Sequence, residues 1–169
     1  MLSLILFRHA KSDWDAPFAN DHERPLTNRG REAARAMGRM LKHTGQVPDM
    51  AVSSSAQRAK DTLQLAAQAG HWRCAMRIDS ALYESSARDV LNWVKGFDET
   101  PACLLLTGHE PTWSDLASKL IGEAMIKVPT GAMLRIDFEI DSWQQLDFGI
   151  GELRWLLPPK LVCKMKIGK

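Results

Sequence analysis

Three apolar runs in this 169-residue chain end in residues suited to binding an anion. Leu2–Phe7 runs out into Arg8-His9-Ala10-Lys11. Asp49–Ser53 leads through Ser54-Ser55-Ala56-Gln57 to Arg58, and Ala102–Leu106 leads into Thr107-Gly108-His109-Glu110-Pro111. Guanidinium groups bind phosphate oxygens through paired donors, and the helix starts expected after the second and third runs would add free N–H groups and a positive dipole end. A neutral imidazole can attack phosphorus, while a second can donate a hydrogen bond to the same group. Taken singly, each piece has a plainer explanation: a strand end must be polar, a serine run makes a turn or cap, and a helix arginine faces solvent. Their joint placement is what points to phosphoryl chemistry, with Arg8, Arg58 and His109 around His9 and with the arginines supplying the charge that a metal ion would otherwise supply.

The elements that would carry these residues are legible from periodicity. Leu2–Phe7 reads as a buried strand. Thr27 can cap a helix whose apolar stripe is Ala33, Ala34, Met37, Met40 and Leu41. Asp49–Ser53 is a short second strand, followed by a helix over about Ala56–Ala69. Ser86 and Asp89 form a capping box ahead of Val90, Leu91 and Val94; Ala102–Leu106 is a further strand. Trp113, Leu116, Ala117, Leu120 and Ile121 repeat at helical spacing behind Pro111. Alternating apolar strands and amphipathic helices predict a mostly parallel sheet covered on both faces, with ligands bound beyond the carboxyl ends of its strands. Near the end, Leu134, Ile136, Phe138 and Ile140 alternate with Arg135, Asp137 and Glu139, predicting a strand with one wet face. A turn over Asp141–Gln145 and a strand near Glu152–Leu156 complete an antiparallel edge hairpin. Phe148-Gly149-Ile150-Gly151 lacks the third glycine of a dinucleotide loop and reads as a bend or bulge.

Composition excludes several classes. The chain is 45% hydrophobic and 25% charged, as globular domains are, and its net charge of +2 is too small for a nucleic-acid footprint. Lys160, Lys164, Lys166 and Lys169 form a basic tail that reads as solvated. Cys74, Cys103 and Cys163 are odd in number and unpaired in spacing, which argues for a reducing compartment. No run is long enough to span a membrane, and Leu2–Phe7 is too short for a signal segment. The expectation is one cytoplasmic domain over residues 1–169, with oligomeric state undetermined.

The motifs LFRHAKSDW, RPLTNRG, SSSAQRAKDT, TGHEPTWSDLA and VPTGAM resemble those of the histidine phosphatase superfamily, and within it the short SixA-type phosphohistidine phosphatases. The resemblance runs from the first strand to about Met133. It implies a three-layer α/β/α fold (phosphoglycerate mutase-like), a phosphohistidine intermediate on His9, and Arg8, Arg58 and His109 as ligands of the phosphoryl group; with the arginines neutralising the charge, no cofactor or metal is expected. Ala10 stands where many superfamily members have glycine, which suits the SixA-type branch better than the mutases. The proton donor stays open between Glu84 in ALYESS and Asp13, Asp21 and Glu110. His22, His43 and His71 are read as structural.

The substrate expected is a phosphorylated side chain on a partner protein, since a single helix between ALYESS and the next strand leaves little material for a lid. Other readings compete with it. A small-molecule phosphomonoesterase or mutase would use the same residues, though a mutase must exclude water, which a lidless site does poorly. A phospho-recognition module would need the arginines alone and leaves the two histidines unexplained. A histidine–carboxylate metal site is disfavoured by the neighbouring arginines.

Overall fold

A computed structural model describes residues 1–165. Six strands form one sheet in the order β3-β2-β4-β1-β5-β6, comprising β1 (Leu2–Arg8), β2 (Met50–Ser54), β3 (Ala75–Asp79), β4 (Cys103–Gly108), β5 (Met133–Phe138) and β6 (Gly151–Leu157). The pairings β1–β4, β2–β4 and β2–β3 are parallel, whereas β1–β5 and β5–β6 are antiparallel. The main helices are α1 (Asn28–His43), α2 (Gln57–Gly70), α3 (Ala87–Lys95) and α4 (Thr112–Leu120), with a short α5 (Pro159–Val162).

Alternation along each strand builds the two cores. In β1, Leu4 and Leu6 join β4 Leu104 and Leu106, Val90 and Leu91 of α3, and Trp113 and Leu116 of α4. Ile5 and Phe7 point the other way, joining Leu105, Met37 and Leu41 of α1, and Leu63 of α2. Successive strand side chains face opposite sides, so a strand buried on both faces carries a continuous apolar run, as β1 does from Leu4 to Phe7. The three layers expected from the sequence are therefore present. The predicted caps form as well: Thr27 accepts the Gly30 N–H, and Ser86 and Asp89 make a reciprocal capping box.

Two local features differ from the sequence-based expectation, and the bend expected at Phe148–Gly151 is present. Strand β3 went unpredicted because it is a mostly exposed edge strand, AMRID, with no continuous apolar run. The face of β5 expected to be wet is largely covered, and Asp137 is buried. Arg135 spans that face, donating to Asp137, Ser3 and Gln46, while Trp155 of β6 also donates to Gln46. An alternating polar pattern thus marks an internal hydrogen-bonded layer, which periodicity alone does not separate from a solvated one. The bend at Phe148–Gly151 is a turn with Gly149 at φ +78, while the sheet's register shift lies at Arg135/Ile136, opposite Trp155 and Leu153. Of the basic tail, Lys160 and Lys164 are exposed, and Lys166 and Lys169 lie outside the described residues.

Candidate active site

The carboxyl ends of β1, β2 and β4 meet at one edge because their registers align there. Arg8 pairs with Gly108 across β1–β4, and Ser53 pairs with Thr107 across β2–β4. The His9 N–H donates to the Gly108 carbonyl at 2.9 Å, which places the residue after each strand end beside its counterpart. The His9 and His109 rings then stand with centroids 5.2 Å apart. Gly108 leaves no room for a side chain, since a Cβ there would lie 2.6 Å from the Trp113 ring. That close approach lets α4 pack directly behind His109.

His9 is held in one tautomer. Its Nδ1 lies 2.8 Å from the Ala10 carbonyl oxygen, which can only accept, so Nδ1 carries the proton and Nε2 the lone pair. Ala10 is fixed in turn by α2, its N–H donating to the Thr62 hydroxyl, which donates to the Arg58 carbonyl. Burial lowers the His9 pKa from 6.5 to about 4, with the charges of Arg58, Arg8 and Arg24 adding to the effect and the Ala10 hydrogen bond opposing it. His109 is lowered to about 3 by burial, then by His9 and Arg58, against a smaller opposing influence of Asp21. Its Nε2 is 2.7 Å from the Ser54 hydroxyl.

Both arginines are anchored from the side. Arg8 Nη1 donates to the Val128 carbonyl at 2.9 Å. Arg58 Nη1 donates to the Asp21 carbonyl and its Nη2 to the Asp21 carboxylate. Arg8 Nε, Arg58 Nε and His109 Nδ1 are buried without a hydrogen-bond partner among the described residues. An unpaired buried donor is costly, and the two guanidinium N–H groups, joined by His109 Nδ1 in the tautomer whose Nε2 accepts from Ser54, form a seat for an oxyanion.

Beside this seat opens a cavity of about 760 Å³ whose lining includes Arg58, His109, Tyr83, Glu84, Glu110 and Asp115. The four candidate proton donors separate by geometry. Asp13 accepts the N–H groups of Asp15 and Ala16, and so builds its own loop. Asp21 is bound by Arg24, Arg58 and Tyr83; desolvation raises its pKa, but those contacts outweigh it and leave it lowered. Glu110 accepts from Ser114 through both oxygens. Glu84 lines the cavity, is exposed, and makes no side-chain hydrogen bond to the described residues; its backbone holds φ at +54, which a side chain other than glycine adopts at a cost.

The sequence missed four participants. His22, read as structural, lies 2.9 Å from the Ser55 hydroxyl and edge-on to Tyr83, which also stands edge-on to His109. Asp21, a candidate acid by sequence, is the residue that holds Arg58. Arg24 of RPLTNRG is buried, donates to Asp21 and Ser12, and stacks 3.6 Å from the Trp14 ring centroid. No sequence signal marks Tyr83. Among the described residues, no three His, Cys, Asp or Glu side chains gather closely enough to hold a metal ion. No helix among them is long and apolar enough to cross a membrane.

A family model described as histidine phosphatase superfamily (branch 1) matches residues 4–93. The chain is 31% identical over 152 residues to an uncharacterized chloroplastic protein of Arabidopsis thaliana, covering 84% of this chain and 69% of that one. It is 41% identical over 64 residues to a 2,3-bisphosphoglycerate-dependent phosphoglycerate mutase of Bartonella henselae, covering 37% of this chain and 31% of the mutase. Among solved structures, the protein histidine phosphatase SixA complexed with tungstate superposes with a TM-score of 0.81 at 23% identity, over 98% of this chain and 100% of that one.

Proposed function

The chain belongs to the histidine phosphatase superfamily, and from that premise we propose that it is a phosphatase working through a covalent phosphohistidine on His9. The observation that carries the reading is the seat itself. Among the described residues, Arg8 Nε, Arg58 Nε and His109 Nδ1 are buried without a hydrogen-bond partner, close to a histidine whose proton is fixed on Nδ1. We assign the Ser54 hydroxyl as the donor to His109 Nε2, which lies 2.7 Å away; the His109 proton is then on Nδ1, where it can serve the phosphoryl group.

In the first step the His9 Nε2 lone pair attacks phosphorus, an N–P bond forms, and the bond to the leaving group breaks. The leaving group keeps the electron pair and takes a proton, for which Glu84 is our candidate donor. Water then attacks the phosphoenzyme and gives a proton to the Glu84 carboxylate, which restores the acid; the N–P bond breaks with its electron pair returning to Nε2, and inorganic phosphate leaves. Arg8 and Arg58 balance the charge that spreads over the phosphoryl oxygens, and in this reading no metal takes part.

The substrate we favour is phosphohistidine on a partner protein. The cavity rim at half-buried Tyr83 and exposed Glu84 and the absence of any element between α3 and β4 leave an accessible mouth. The free thiols of Cys74, Cys103 and Cys163 suit a reducing, cytoplasmic setting. A small phosphate ester is the second reading, supported by a cavity of about 760 Å³, which holds a molecule of that class.

The test is a rapid-quench reaction with labelled phosphohistidine protein. Label should appear on the chain in acid-labile, base-stable form, and His9→Ala should lose both label and turnover while keeping its circular dichroism. Substantial turnover by His9→Ala would reject the mechanism. Turnover of small esters with none of phosphohistidine would transfer the assignment to the second reading.

A further inference from the structure

A run of hydrogen bonds leads from the start of α4 to Arg8. The helix begins behind Pro111, whose side chain cannot accept the N–H groups left free at a helix start. Glu110, one residue earlier, supplies what is missing. Its Oε1 accepts the Ser114 N–H at 2.9 Å, and its Oε2 accepts the Ser114 hydroxyl proton at 2.5 Å. The same hydroxyl oxygen accepts the Val128 N–H at 2.9 Å, and the Val128 carbonyl accepts Arg8 Nη1 at 2.9 Å. Val128 is fully buried, whereas residues 122–125 and 127 of the same connection are exposed. It is therefore a point at which the α4–β5 connection is pinned, ahead of the Gly131 N–H bond to the His9 carbonyl.

We infer that Glu110 and Ser114 are positioning residues for Arg8: they orient the guanidinium through Val128 and take no direct part in proton transfer. The inference rests on the reading of Arg8 as a phosphoryl ligand. A hydroxyl that donates to a carboxylate has its proton committed, so its oxygen is turned toward the Val128 N–H and the loop takes a single position. The Val128 carbonyl then holds one guanidinium corner while the buried Nε is left for the ligand. Displacement of a charge-stabilising group by about 1 Å can cost about 10²-fold in rate, so an arginine that reaches its ligand from the end of a strand needs such a brace. The Glu110 carboxylate also opposes the lowering of the Arg8 pKa by burial, favouring the charged guanidinium. Glu110 has both oxygens occupied, which removes it from the candidate proton donors and explains an acid next to His109 that does not act on the leaving group.

The experiment compares Ser114→Ala, Ser114→Thr and Glu110→Gln in the wild-type chain and in an Arg8→Lys background. Readouts are kcat and KM for p-nitrophenyl phosphate and calorimetric binding of vanadate. In the wild-type chain Ser114→Ala should lower kcat/KM and vanadate affinity together by about tenfold, and Ser114→Thr should restore most of the loss. In Arg8→Lys the same change should cost less than about twofold, because residues acting as one unit are not additive. Equal losses in both backgrounds, or none in the wild-type chain, would overturn the inference. If Ser114→Ala does not fold, Glu110→Gln poses the same question, since it keeps an acceptor for the Ser114 N–H and removes the one for its hydroxyl. A wild-type chain that neither turns over the ester nor binds vanadate would refute the phosphatase reading instead.

Discussion

Acidification to pH 5 should leave His9 able to attack phosphorus. An imidazole at the ordinary value of 6.5 is only about 3% neutral at that pH. With the pKa lowered to about 4 by burial, and further by Arg58, Arg8 and Arg24 against the Ala10 hydrogen bond, about nine-tenths remains neutral. The difference is about 30-fold in active nucleophile. Proton NMR of the imidazole C2–H signals, assigned with His9→Asn and His109→Asn, reads the titration directly in phosphate-free buffer and avoids the substrate's own ionisation. The sign for stability follows. The folded pKa lies below the unfolded one, so between pH 6.5 and 4 the unfolded chain binds more protons, and stability is lost as pH falls through that window. Lowering from 6.5 to about 4 corresponds to about 3 kcal/mol for His9 once pH is below both values. A His9 midpoint at or above pH 6 would refute the argument that burial keeps this imidazole neutral.

Glu84→Gln should slow alkyl phosphate esters by roughly 10²–10⁴-fold and phosphohistidine far less, because an imidazole with a pKa near 6.5 leaves without a positioned acid; equal losses on both substrates would remove Glu84 from proton transfer. Asp21→Ala frees Arg58 Nη2 from its carboxylate and should weaken vanadate binding by about tenfold, since the Asp21 side chain is half exposed and its pair with Arg58 is correspondingly screened. Unchanged affinity would mean that the Asp21 carbonyl alone aligns Arg58. Gly38→Ala would place a Cβ 1.9 Å from the Ala66 carbonyl oxygen where α1 meets α2. The resulting separation should cost about 1–3 kcal/mol despite alanine's better helix propensity, and a calorimetric Tm that stays level or rises would show that the helices can part without loss.

Much of this protein was determined by the sequence alone. The buried strands, the amphipathic helices and the caps at Thr27 and Ser86 follow from periodicity and from side-chain donors within a few residues, which are local properties of the chain. Because a parallel sheet must place successive strand ends on one edge, the convergence of Arg8, His9, Arg58 and His109 was legible too. Tertiary structure alone decided what those residues touch. Asp21 meets Arg58 across 37 positions, and Val128 meets Arg8 across 120, through loops whose closure leaves no period in the sequence. The same holds for His22, drawn to Ser55 and Tyr83 from a loop that offers no signal, and for Asp137, whose alternation with apolar neighbours reads as solvent-facing until Arg135 and Gln46 are placed over it. Pattern reports which face of an element is apolar. Which polar group covers the other face is a matter of through-space distance, and with it the division of four carboxylates into one that lines the cavity without a side-chain partner among the described residues and three committed to structure.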